Sequence, residues 1–116
     1  MKIPQDGYLL RIFVGESDKW HGQPVYEAIV LKARELHMAG ATVLRGAMGF
    51  GVHNRLHTLK VLRLSEELPV VIEIVDAEEK IKALLPYIDE IVQEGLVTLE
   101  KVQMIQYRPD SPYAPD

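Results

Sequence analysis

The chain has 116 residues, 47% of them hydrophobic and 26% charged, enough for one domain with a core of its own and too few for two. It has no cysteine, which excludes disulfide staples, thiolate metal sites and a cysteine nucleophile. A formal net charge of -4 argues against nucleic acid as a partner; with no apolar run of bilayer length and no leader-like start, the default expectation is a cytoplasmic protein without direct membrane insertion.

The first predicted element is a strand over residues 8–14. Tyr8, Leu10, Ile12 and Val14 fall on one face and Leu9, Arg11 and Phe13 on the other, so both faces are largely apolar. A polar connection leads to Pro24, suited to the first position of a helix, where its missing N–H costs nothing. Val25, Ile29, Ala33 and Leu36 repeat at helical spacing and predict a helix over 24–38, with Gly40 as its left-handed stop. A second strand covers 41–48, with a bulge at Gly46, and a long loop covers 49–67. The third strand, 68–75, is apolar on both sides apart from Glu73. Asp76, with Glu79 three positions on, has the pattern of a capping box. Ile81, Leu84, Leu85, Ile88, Ile91 and Val92 then form the buried stripe of a second helix, kinked at Pro86 and ended by Gly95. The last strand covers 96–107. Its alternation changes phase between Val97 and Leu99 and the later pair Val102 and Met104, which predicts a bulge near Glu100 and Lys101. Residues 1–107 thus make the domain, and 108–116, with three prolines and no periodicity, a tail.

The order βαββαβ is ferredoxin-like, an α+β sandwich of two helices on one face of a four-stranded antiparallel sheet. The opposite face should be polar in a monomer, yet Leu9, Phe13, Val71 and Val75 outnumber Arg11 and Glu73 on the available surfaces. Sister copies are the expected cover. Charge is also segregated. Residues 40–65 carry Arg45, Arg55, Lys60 and Arg63 and no acid, whereas 66–94 carry nine acids against Lys80 and Lys82.

The segment GATVLRGAMGFG over 40–51, a long loop, and VIEIV over 71–75 resemble the second strand, T-loop base and third strand of the PII signalling proteins. Together with IFVGE over 12–16, GQPVYEAIV over 22–30 and LPVVIEIVD over 68–76, they are similar to an uncharacterised branch of PII-like proteins, domain of unknown function family one hundred and ninety. The resemblance implies a homotrimer with three intersubunit clefts for adenine nucleotides and a T-loop that docks on a target. Thr42, Glu73 and Val75 match positions around the adenine, Gly49 and Gly51 the glycines where backbone approaches phosphate, and Arg108 one of two phosphate-holding arginines. Gln106 and Leu96 stand where the family has two further cations, so AMP, cyclic AMP or ADP is expected in preference to ATP. The loop from 51 to 68 has no tyrosine, so uridylylation is not expected.

The expected function is therefore that of a non-enzymatic sensor presenting a basic loop, about 50–67, with His53, Arg55, His57 and Lys60, to a membrane transporter or enzyme target. Plainer readings stay open: Thr42 as a strand residue, and Glu73 as the partner of Arg11. His53 and His57, four apart, are weak candidates for a metal. They support an alternative, a metal- or partner-binding module resembling the divalent-cation tolerance family and taking no nucleotide. Ser17, Ser65 and Ser111 lie in no nucleophile motif, and there is no phosphate loop ending in Lys and Ser or Thr, so no catalytic residues are expected.

Overall fold

Strand alternation decides the architecture. In the computed structural model, which describes residues 5–51 and 68–108 and the backbone of 57–58, β1 (Gln5–Gly15) buries Leu10, Ile12 and Val14 on one side. A small ribbon of β2 (Lys19–Trp20) and β3 (Gln23–Pro24) leads into α1 (Val25–Glu35). There follow β4 (Thr42–Arg45), the two-residue strands β5 (Met48–Gly49) and β6 (His57–Thr58), β7 (Pro69–Asp76), α2 (Glu78–Ile91) and β8 (Leu96–Met104). The main sheet has the order β4-β7-β1-β8, all antiparallel, as the ferredoxin-like pattern requires. Val25, Ala28, Ile29 and Ala33 of α1 and Ile81, Leu84, Ile88 and Ile91 of α2 close the core against Leu10, Ile12, Val14, Val70, Ile72 and Ile74.

Local boundaries depart from the sequence expectations for identifiable reasons. The connection before α1 contains a hairpin whose two turn residues, His21 (φ 51) and Gly22 (φ 82), both take positive φ, the primed turn that suits strand twist. Trp20 stacks on the His21 ring, centroids 3.8 Å apart. α1 stops at His37 (φ 58) and not at Gly40. There the Met38 N–H donates to the Ala33 carbonyl at 3.0 Å and the His37 N–H to that of Arg34 at 3.1 Å, a Schellman closure three residues early. The Lys80 ammonium donates to the Leu36 and His37 carbonyls at 3.2 Å each, satisfying acceptors the helix end leaves open.

Asp76 does not cap α2, whose N-cap is Ala77 with no side-chain cap, so the expected capping box is absent. Buried, Asp76 instead accepts from the Ala77 N–H at 2.7 Å and, through its other oxygen, from the Ala39 N–H at 2.8 Å. It thereby ties the turn after α1 to the end of β7. α2 continues through Pro86 and ends four residues before Gly95. Gly95 (φ 151) has a different duty: a Cβ there would lie 2.5 Å from the Phe13 carbonyl oxygen.

β8 pairs with β1 in one unbroken register from Gln5 opposite Met104 to Phe13 opposite Leu96, so the bulge expected near Glu100 and Lys101 does not exist. The phase change has another cause. Leu96 and Val97 are both exposed, as is Leu99, because β8 is an edge strand with apolar residues on each face in turn. The strand also ends at Met104, three residues earlier than expected.

Asp76→Ala leaves two backbone N–H groups without their acceptor and should lower unfolding free energy by about 3 kcal/mol. Asp76→Asn, which keeps one carbonyl oxygen, should lose roughly half of that; urea denaturation measures both.

Candidate functional site

The face of the sheet away from the helices is built in rows, because residues opposite one another in antiparallel strands point the same way. One row is apolar across all four strands: Leu44, Val71, Phe13 and Leu96. The next is polar: Thr42, Glu73, Arg11 and Thr98. A third holds Val75, Leu9 and Glu100. Leu44, Phe13, Val75 and Leu96 are exposed in the isolated chain. A polar row thus lies between an apolar row and a mixed one, on a surface that no element of the same chain covers among the described residues.

Sequence-predicted Thr42 and Glu73 are direct cross-strand partners, and Val75 lies two residues on along the same face. Glu73 also meets Arg11, whose Nε donates to Glu73 Oε2 at 2.8 Å, while Arg11 Nη1 reaches Glu100 Oε1 at 3.5 Å. The hydrogen bond to Glu73 is the first cause raising the Arg11 pKa above its ordinary value, so Arg11 is a permanent cation here. Of the two readings of Glu73, pairing with Arg11 is the one realised in the single chain; it occupies one carboxylate oxygen.

The glycines lie at one end of this sheet. The Gly46 N–H donates to the Pro69 carbonyl at 2.7 Å, and the strand expected over 41–48 breaks there, Gly46 standing just past the end of β4 and not as a bulge inside it. Added Cβ atoms at Gly46 and Gly49 would meet the Pro69 ring at 2.8 and 3.0 Å, whereas one at Gly51 would meet nothing within 4 Å. Gly49 pairs with His57 in the β5–β6 ribbon, so the loop base begins as a narrow two-stranded stem. Met48 and Phe50 beside it are exposed. Arg108 is exposed and follows β8 beyond Met104, the partner of Gln5. Its chain leaves the sheet at the corner diagonally opposite to the one where β4 leads into Gly49.

The structure therefore brings together Thr42, Glu73 and Val75, sets Gly49 and Gly51 beyond the end of that row's strand, and holds Arg108 apart. Of the loop residues, His53, Arg55 and Lys60 lie outside the described residues, and for His57 only the backbone is described. The described residues include no group of three or more potential metal ligands, and no helix among them is long and apolar enough to cross a membrane. Sequence reasoning missed the ion pair of Arg45 Nη2 with Glu16 Oε2, which ties the end of β4 to the end of β1. The only hint was that Arg45 is the one charged residue between positions 40 and 51.

Comparison with known proteins bears on this geometry. The model of the DUF190 family, described as "Uncharacterized ACR", matches residues 7–104. A UPF0166 protein of Aquifex aeolicus is 42% identical over 97 residues, covering 84% of this chain and 91% of that protein. A UPF0166 protein of Methanocaldococcus jannaschii is 37% identical over 92 residues, covering 78% and 84%. Among solved structures, CPII from Thiomonas intermedia, a nitrogen regulatory PII-like protein bound to ADP, AMP and bicarbonate, superposes with a TM-score of 0.68 at 16% identity, covering 88% of this chain and 91% of that one. A PII-like signalling protein described from Thermus thermophilus gives 0.63 at 14% identity, covering 86% and 90%. At such identities the shared property is the fold, which is PII-like.

Crowding at the loop base makes a graded prediction. Gly46→Ala, pressed against the Pro69 ring, should lower stability by about 1–2 kcal/mol, whereas Gly51→Ala should stay within about 0.5 kcal/mol of the parent in the same urea titration.

Proposed function

The chain belongs to the DUF190 family, and from that premise we propose that it is a PII-like regulator without chemistry of its own, a homotrimer whose intersubunit clefts take a small adenosine-type nucleotide. Its loop, about 50–67, then presents itself to a partner protein. One observation carries the reading: Thr42, Glu73 and Val75 share an uncovered, largely apolar sheet face, while Arg108 leaves from the opposite corner. A single chain cannot gather these groups around one ligand. A neighbouring copy can, because it brings its own C-terminal corner to the first copy's Thr42 edge.

Burial of Leu44, Phe13, Val75 and Leu96 supplies the drive for assembly, at roughly 25 cal/mol per Å² of apolar surface removed from water. The solved structures of CPII with ADP and AMP support adenine nucleotides as the ligand class to test first. Within the row, the Glu73 oxygen not held by Arg11 is an acceptor fit for an amino group, and Val75 and Leu9 offer apolar surface to a planar ring. With Gln106 and Leu96 where the family pattern has cations, the ligand should carry few phosphates.

Sedimentation at micromolar concentration should return three copies of the 13.1 kDa chain, about 39 kDa, and Phe13→Asp should return one. Calorimetry with AMP, cyclic AMP, ADP and ATP should give heat with at least one of the first three; silence with all four ends the nucleotide reading.

A further inference from the structure

We propose that Arg45 is the cation that reads the phosphate of this ligand and that Glu16 holds it while the site is empty. The inference rests on the nucleotide reading above and assigns a residue that the family pattern does not.

Arg45 is the only charged residue between positions 40 and 51. It ends β4, one residue before Gly46 and four before Gly49, at the corner of the sheet where phosphate is expected to approach backbone. By register it faces the helix side, opposite Val70, but its long side chain reaches past the end of β7 to Glu16, just beyond β1. Glu16 is anchored from behind, its N–H donating to the carbonyl of buried Leu68 at 2.9 Å. The exposures differ accordingly: the Glu16 side chain is 20% exposed and that of Arg45 59%. The carboxylate is the fixed member and the guanidinium the one turned to solvent.

A guanidinium carries five N–H donors in a planar fork, and the contact with Glu16 runs through Nη2. Among the described residues no other acceptor engages Arg45, and its contact with Glu16 uses one donor nitrogen of the fork. An ion pair whose cation stands in solvent adds little to stability, so the fold loses little when Arg45 changes partner. A phosphate offers bidentate, charge-assisted hydrogen bonds and outcompetes a single carboxylate contact of this kind. Glu16 is thus a competitor for the same cation. The two residues must act on ligand affinity with opposite sign, which no purely structural role of the pair would produce.

The test is calorimetry on the full chain with ADP and with adenosine, alongside urea midpoints to confirm folding. Arg45→Gln should weaken ADP by about tenfold or more and leave adenosine within about twofold. Glu16→Gln should tighten ADP by about threefold or more, again sparing adenosine, because the competing carboxylate is gone. Equal loss in both variants, or an Arg45→Gln chain that binds ADP like the parent, would overturn the assignment while leaving the nucleotide reading intact. A parent chain that binds neither of these compounds, and is silent with AMP, cyclic AMP and ATP as well, would overturn both.

Discussion

The structure depends on one strand serving two surfaces. β1 is hydrogen-bonded on both sides, to β7 and to β8, and its strict alternation sends Leu10, Ile12 and Val14 beneath the helices and Leu9, Arg11 and Phe13 to the other face. A slip of one residue would exchange the two sets, placing Arg11 in the core and Ile12 outside. The two long registers forbid it, since Arg11 then loses Glu73 and the buried aliphatic layer of Ile72 and Ile74 loses its counterparts. Every position on the outer face follows from that registration, including the apposition of Thr42 and Glu73 through β7.

Much of this was legible from periodicity alone. The order of the main elements and both helix stripes come directly from the spacing of apolar residues, because burial on one face enforces period 2 or 3.6 whatever the local context. Most of the failures are at ends, where a few hydrogen bonds decide. Gly40 looked like the stop of α1, yet His37 takes the left-handed conformation, its strain offset by the Schellman bonds and the Lys80 ammonium, which arrives from 43 residues away. Asp76 matched a capping pattern in every residue and still spends its carboxylate on Ala39, 37 positions upstream. The alternation change in β8 reads as a bulge only if one face is assumed buried; on an edge strand it costs no register. The candidate site was legible as a set of positions, and its geometry was not, because the rows combine residues from four strands.

That division explains which charges could be anticipated. Arg11 and Glu73 are neighbours in any fold of this topology, so their pairing was a natural reading beside a ligand role, and the structure realises it at 2.8 Å. Glu100 joins through β8 at 3.5 Å, giving the outer face two carboxylates for one guanidinium. Arg45 and Glu16 belong to no shared row. They meet only because β4 and β1, on either side of β7, both finish at its N-terminal end, where Pro69 crowds Gly46 and Gly15 lies opposite Pro69.

The placement of these pairs bears on what the surface will accept. On the outer face the carboxylates outnumber the cation, so a highly charged anion approaching Thr42 along the row meets net repulsion, while a neutral base edge with an amino group meets an acceptor. At the end of the sheet the charge is less one-sided, since Arg45 there meets the carboxylate of Glu16, just beyond β1. A ligand neutral at one end and anionic at the other matches that gradient, and a nucleotide with few phosphates has this form. On the proposed reading, that gradient would orient the ligand with its base toward the middle of the sheet and its phosphate toward the loop base. Occupancy would then be felt first at Gly46 and Gly49, against the Pro69 ring, where the chain turns into the β5–β6 stem.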